Sequence, residues 1–423
     1  MRVQFINPPT HHYDGGWYRM NPALGMPILA AVLKGAGHEA QVVDAEALRA
    51  SPQAIGASFA KQRERWPDVV GLTVTTHNVR GARETIAAIR AAGYDRRIIL
   101  GGPHITLLGR GNIDKLDSWG ADVWVTGECE GNIVQIIEGN YDTGLVDGVA
   151  APIEDIPSPL WEQHAPTPMQ YMGNMPDVGR PEGISMWSRG CPGACTFCGN
   201  PVFGRQAIRM RPVERVYADM EQLKRLGAKG VFVYDDELIG VGTKRQTGWL
   251  EACCAAVAPL GLTWKCQGRC SVKTSGETMR RMYDAGCRAV MWGVESFSQP
   301  ILDAMKKGTT EDDIWHTLRA AKDAGIKNWV FLMVGNAEET PAHLAYTHKR
   351  LTEAVREGLV QYRQVTVCTP VMGTPLYARA KQEGWLVEAP ESGPQMAQVY
   401  NATPWLSERE IRYWKTQLES AGI

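Results

Sequence analysis

Residues 183–198 read Gly183-Ile184-Ser185-Met186-Trp187-Ser188-Arg189-Gly190-Cys191-Pro192-Gly193-Ala194-Cys195-Thr196-Phe197-Cys198. Ile184–Trp187 has the length and composition of a buried strand, and it leads straight into a loop. That loop carries three thiols at C-x3-C-x2-C spacing, with Gly190 and Gly193 giving the backbone freedom to wrap one metal centre. With 10 cysteines in 423 residues, such a spacing arises by chance on the order of once in a hundred chains or less. Three thiolates suit a zinc site lacking one ligand, or a cubane iron–sulfur cluster with one iron unligated by protein. The histidine next in sequence is His164, well outside the loop.

Downstream, apolar runs continue at Val231–Tyr234, Leu262–Gln267, Ala289–Val294, Asn328–Val334 and Gln364–Cys368. Helical patterns separate them, such as Pro212–Leu226, Glu311–Ala324 and Pro341–Gly358, where Pro212 and Pro341 suit a first helical turn. With the strand before the cysteines this gives six βα units over 183–375, a partial barrel whose chemistry belongs at the strand carboxyl ends. Residues 376–423 read as a short C-terminal extension. Trp187 and Trp292, inside barrel strands, are expected to line a cavity.

Upstream, residues 151–182 are proline-rich and weakly periodic, a linker or an extended wrap. Residues 1–150 alternate short strands (Val3–Ile6, Gln41–Val43, Val69–Val74, Ile98–Leu100, Val123–Val125) with helices such as Leu24–Gly35 and Arg80–Ala92. The latter end near Gly37 and Gly93, the expected stop signal. The pattern predicts a doubly wound, Rossmann-like parallel sheet, so the fold class is α/β in both halves. The loops at its carboxyl edge are small, Gly-rich and hydroxyl-bearing, which lets a large cofactor approach the backbone.

Lys plus Arg is 45 and Asp plus Glu is 46, a net charge of −1, which gives no sign of a nucleic-acid or membrane-surface partner. No apolar run is long enough to span a membrane, and the start resembles no signal peptide, so a cytoplasmic location is expected. In that reducing compartment clustered thiols serve metals more often than disulfides. The other seven cysteines (129, 253, 254, 266, 270, 287, 368) read as core or incidental.

Cys191, Cys195 and Cys198, with Phe197, resemble the signature of radical S-adenosylmethionine (SAM) enzymes. The resemblance implies that the thiolates hold a [4Fe–4S] cluster and that SAM chelates its fourth iron. Reduction then yields a deoxyadenosyl radical. It further implies SAM contacts from Phe197, from Asp235, Asp236 and Glu237 after strand two, and from Arg269 after strand three. Glu295 and Ser296 end strand four, and Met333 and Gly335 belong to a strand-five motif that continues to Glu339-Thr340. Asn336 and Ala337 depart from that motif, in which Pro and Gly are frequent. Pro370–Pro375 is similar to the strand-six motif.

The first half resembles the cobalamin-binding domain fused ahead of many such enzymes. The resemblance rests on Asn7-Pro8-Pro9, the run Gly25 to Leu33, Gly37-His38 with Asp44, Gly101-Gly102-Pro103-His104 and Thr126-Gly127-Glu128-Cys129-Glu130-Gly131. It implies cobalamin contacts from Asn7, Pro8, Thr75, Thr76, His77, Gly101, Gly102, Pro103, His104, Thr126, Gly127, Glu128 and Glu130. The D-x-H-x-x-G element that places a histidine on cobalt has no match. Thr10-His11-His12-Tyr13-Asp14-Gly15 comes nearest, with Thr in place of the orienting Asp. No protein axial ligand is therefore expected, His12 being the lone candidate.

Together these features imply a cobalamin-dependent radical SAM methyltransferase. It would methylate an unactivated carbon of a small biosynthetic substrate via methylcobalamin and a deoxyadenosyl radical, with a flavodoxin- or ferredoxin-type electron donor. The alternative keeps both cofactors but performs cyclisation, ring rearrangement or oxygen insertion. A further alternative is a cobalamin sensor or carrier with a vestigial barrel.

Overall fold

The computed structural model describes residues 1–10, 21–109, 118–141, 144–171, 173–239, 243–386 and 403–422; His12 lies outside them. The chain divides into two compact units; among the described residues the first runs through Tyr171 and the second begins at Gly173.

In the first unit, β1 (Arg2–Asn7), β2 (Glu39–Asp44), β3 (Val69–Thr73), β4 (Arg97–Gly101), β5 (Val123–Thr126), β6 (Gly144–Asp147) and β7 (His164–Ala165) form one parallel sheet in the order β6-β5-β4-β3-β1-β2-β7. Central strands of a covered parallel sheet read as apolar runs rather than alternating ones. Val69, Val70, Leu72, Ile98, Ile99 and Leu100 are accordingly all buried. Helices Gly25–Gly35 and Val79–Ala91 end before Gly37 and Gly93, both at positive φ. The strand order reverses between β1 and β3, the switch point at which doubly wound sheets bind ligands.

The sheet holds two strands more than the sequence suggests. β7, from the proline-rich stretch, pairs along the outer edge of β2, and Tyr171 donates to the buried Asp44 carboxylate at 2.8 Å. Part of the expected linker is therefore sheet edge.

In the second unit, β8 (Glu182–Ser185), β11 (Gly230–Val233), β12 (Thr263–Arg269), β13 (Cys287–Glu295), β14 (Lys327–Val334) and β15 (Tyr362–Val367) form a six-stranded parallel sheet in chain order. This is the partial barrel. A small antiparallel pair, β9 (Ser188–Arg189) with β10 (Arg209–Met210), brackets the cysteine loop. Helix Glu311–Asp323 starts from a Thr310/Asp313 capping box, and Pro341 opens the helix Pro341–Arg356.

The described parts of the C-terminal extension belong to the barrel unit. Its helix Glu408–Glu419 lies on β15, where Arg363 donates to the carbonyls of Glu419 and Ala421, and its Ile411 packs against Gly335. Trp187 and Trp292, expected to line a cavity, are wholly buried: Trp292 donates to Asn328 at 2.7 Å, and Trp187 packs on Trp264 at a tilt of 47° with centroids 5.1 Å apart. Among the described residues no helix is long and apolar enough to cross a membrane.

Candidate functional site

The cysteine loop is pinned from several sides. Cys191 N–H donates to the Arg205 carbonyl, Thr196 N–H to the Met305 carbonyl at 2.9 Å, and Leu376 N–H to the Thr196 carbonyl at 3.0 Å. Gly190 sits at φ +104°, where L side chains are strained, and a Cβ there would stand 2.1 Å from the Ala207 carbonyl oxygen. Gly193 has a different reason to be glycine: a Cβ would meet the Arg269 guanidinium at 2.2 Å. Arg269 Nη1 lies 3.7 Å from Cys195 Sγ and the same guanidinium reaches the Cys191 thiol, so two of the three thiols share one cation. Gly193 N–H and Asn200 N–H point at Cys191 and Cys198 Sγ at 3.4 and 3.5 Å. Burial pushes both thiols up, and those N–H groups pull against it.

The acidic run after β11 is spent on backbone. Asp235 is buried and accepts from Trp187 N–H at 2.8 Å, and from Ser188 N–H and Oγ, both at 2.6 Å. Burial pushes its carboxyl up to about 7. Asp236 accepts from Gly190 N–H at 2.9 Å. Glu237 accepts from Ile239 N–H and, through its other oxygen, from Arg269 N–H at 3.0 Å. The three carboxylates thus hold the junction of β8 with the cysteine loop and the end of β12.

Glu295 ends β13 at φ +63° beside a register shift and is paired with buried Lys307 at 2.9 Å. Ser296 is fully buried, with its hydroxyl 3.0 Å from that of Thr347. Phe197 and Met333 pack on one small apolar cluster with Cys368, Leu376 and Trp385. Gly335 and Asn336 donate their N–H groups to Glu339, whose carboxyl burial raises to about 7. Of the seven remaining cysteines, six are buried and Cys129 is half-buried. Lys307 was missed by sequence reasoning; no local spacing singles it out.

Among the described residues no group of three or more His, Cys, Asp and Glu side chains is arranged to hold a single ion. A mononuclear zinc site needs such convergence; a cubane, in which each thiolate binds its own iron, does not. The donor set of three unpaired thiols with backbone N–H groups aimed at sulfur fits a cluster. Two buried polar atoms at and just beyond the end of β8, Ser185 Oγ and Trp187 Nε1, have no protein partner, which fits a polar small-molecule ligand there.

In the first unit the expected residues gather at the carboxyl edge. Asn7 is buried, bonds Asp44 at 2.7 Å and receives Asn78 at 3.4 Å, and Pro8 is buried beside it, so these two shape the loop. Glu130 is buried as well. Thr75, Thr76, Gly101, Gly102, His104, Thr126 and Glu128 are half-buried, and His77, Pro103 and Gly127 are exposed. Gly102, at φ +102°, lets the β4 loop approach β3, with His104 N–H donating to the Val74 carbonyl at 2.9 Å. A Cβ at Gly127 would project into open space, so the loop after β5 leaves its backbone open to a ligand, whereas at Gly102 a Cβ would meet Val74 at 2.8 Å. A cavity of about 700 Å³ opens at the opposite, amino edge among Gln4, Lys34, His38 and Trp66 and includes none of the expected site residues.

His104 Nδ1 is 3.3 Å from Thr76 Oγ1, and burial lowers its pKa to about 4. A histidine held below its unfolded pKa contributes stability that is complete above about 6.5 and is lost as pH falls toward 4. Acidification of the protein from pH 7 to 5 is therefore expected to cost about 1–2 kcal/mol at this residue. The His104→Asn protein, followed by urea unfolding, should lose that part of the slope; an unchanged slope would refute it.

Residues 186–351 match the model of the Radical SAM superfamily, and residues 20–137 match the B12 binding domain, together more than half of the chain. The chain is a cobalamin-dependent radical SAM enzyme. Its cofactors are a [4Fe–4S] cluster, SAM and cobalamin. This cobalamin-dependent radical SAM enzyme is 25% identical over 410 residues to an uncharacterised methyltransferase of Pyrococcus horikoshii, covering 90% of this chain and 83% of the relative. It is also 25% identical over 416 residues to the anaerobic magnesium-protoporphyrin IX monomethyl ester cyclase of Cereibacter sphaeroides, covering 90% of this chain and 64% of the cyclase. Among solved structures, its fold is similar to the radical SAM methyltransferase TsrM of Kitasatospora setae (TM-score 0.70, 19% identity, 92% of this chain and 77% of that one). It is likewise similar to the cobalamin-dependent SAM radical enzyme OxsB (TM-score 0.74, 14% identity, 98% and 66%).

Proposed function

We propose that the chain is a methyltransferase acting on an unactivated carbon of a small biosynthetic molecule. The observation that carries this is the likeness to a methyltransferase over 90% of the chain, beside a cysteine loop that lies within the radical SAM match. When bound, the cluster with SAM supplies a hydrogen-abstracting radical, and cobalamin supplies the methyl-transfer chemistry. The protein's own residues do the rest. Cys191, Cys195 and Cys198 bind the cluster, and Arg269 neutralises charge beside two of them. Asp235, Asp236 and Glu237 hold the backbone that carries those groups. Phe197 and Met333 present an apolar face for SAM, Gly335 lends its N–H to Glu339, and Trp187, Trp264 and Trp292 keep water from the barrel interior. The loops after β1, β3, β4 and β5 receive cobalamin. A flavodoxin- or ferredoxin-type protein of the cytoplasm supplies the electron.

The second reading, cyclisation without methyl transfer, is favoured by the likeness to the magnesium-protoporphyrin cyclase. Product analysis separates the two. Reconstituted protein given SAM, cobalamin, reductant and candidate small molecules is expected to yield a methylated product with both deoxyadenosine and S-adenosylhomocysteine. Deoxyadenosine alone, with a substrate altered but not methylated, would decide for the second reading.

A further inference from the structure

The turn Met305-Lys306-Lys307-Gly308 belongs to none of the motifs above. It follows helix Gln299–Ala304 and docks on the cysteine loop: the Met305 carbonyl accepts from Thr196, which lies between Cys195 and Cys198. Gly308 stands against the guanidinium of Arg269, with Nη2 3.5 Å from where a Cβ would be. Lys306 and Gly308 face solvent, whereas Lys307 turns inward and is 5% exposed. Its Nζ is 2.9 Å from Glu295 Oε1. Gly293 leaves room for the pair, since a Cβ there would meet the ammonium at 2.8 Å.

Burying an ion pair costs desolvation that an apolar pair of similar size avoids, so the pair calls for a reason. Its surroundings supply one. Burial works against the Lys307 charge, but Glu295 and the Cys195 thiol outweigh it. The ammonium also acts on Cys198, as Arg269 acts on Cys191. Two cations therefore flank the cysteine loop, Arg269 on a strand end with Nη1 3.7 Å from Cys195 Sγ, and Lys307 on the turn whose Met305 carbonyl is tied to Thr196 and whose Gly308 stands against that same guanidinium.

We propose that Lys307 is a positioning residue that sets potential: held by Glu295 in the turn that docks on the cysteine loop, its buried ammonium raises the reduction potential of the cluster. This rests on the reading that Cys191, Cys195 and Cys198 hold a [4Fe–4S] cluster. A cubane with three thiolates is already anionic when oxidised. Reduction adds one electron, taken from the flavodoxin- or ferredoxin-type donor, and no proton moves. A fixed neighbouring cation favours the more negative, reduced form.

The test uses the reconstituted full chain without SAM or substrate, with the reduced fraction read by electron paramagnetic resonance over a series of solution potentials. Lys307→Met keeps length and apolar volume but removes the charge. At the wild-type midpoint its ratio of reduced to oxidised cluster is expected to fall about tenfold, equivalent to about 59 mV for a one-electron couple. Lys307→Arg should restore most of the ratio, and Glu295→Gln should shift it the other way. If Lys307→Met alone holds no cluster because it strands a buried carboxylate, the double variant Lys307→Met/Glu295→Gln decides, with the same direction of shift expected. An unchanged midpoint in whichever variant retains full iron content overturns the role of Lys307. Wild-type protein that takes up no cluster overturns the assignment of the thiols instead.

Discussion

Protein with Cys191, Cys195 and Cys198 all replaced by Ala is expected to fold, to retain cobalamin binding, and to lose both the iron–sulfur absorbance and SAM cleavage. The loss of turnover should be at least about 10⁶-fold, the lower end of typical enzymatic acceleration, because the cluster loses all three of its proposed thiolate ligands. Stability should change little. Cys191 and Cys198 are half-buried, and only Cys195, at 7% exposure, gives up a buried sulfur. The loop keeps its backbone ties from Gly190 to Asp236, from Thr196 to Met305 and from Leu376 to Thr196. Iron content, absorbance, and deoxyadenosine formation measured beside a thermal melt check all of this. Turnover that survives in the folded triple variant would sink the assignment of the three thiols as the cluster ligands.

Eleven strands were legible because each is an apolar run closed by a Gly, Pro or polar turn, and because parallel strands buried on both faces need such runs. β6 and β7 escaped for physical reasons. Gly144–Asp147 is short and opens on a glycine at positive φ, and His164–Ala165 is two residues inside a proline-rich stretch. What makes β7 a strand is the open edge of β2, a tertiary fact. The C-terminal extension is similar: β15 itself is legible, but the docking of the last helix on it is contained in no local periodicity. At the site, the cysteines and the acidic run could be located from spacing and strand order. Their hydrogen-bond partners could not, since Asp235 reaches back across the sheet to Trp187 and Ser188. Lys307 follows from the docking of one turn on another, which no sequence window contains.

Asp235→Ala is expected to destabilise the barrel by about 3–5 kcal/mol and to lower iron retention. The substitution strands two buried N–H groups and leaves the Ser188 hydroxyl without its acceptor. Each unpaired buried donor costs about 1–3 kcal/mol. Asp235→Asn should fall between, because its amide oxygen still accepts from Trp187 and its NH₂ can face the Ser188 hydroxyl, so that Ser188 N–H is the main loss. The pH dependence has a definite sign. Burial raises the Asp235 carboxyl to about 7, so its contribution to stability is complete below the unfolded value near 3.8 and is lost as pH rises through 7. Urea unfolding of the apo protein across that range should show a shallower decline for Asp235→Asn than for wild type, with Glu339 supplying a residual slope of the same sign. An Asp235→Ala protein that kept wild-type stability and full iron content but bound SAM weakly would return Asp235 to contacting the SAM amino group. It would leave the β8 junction to Asp236 alone.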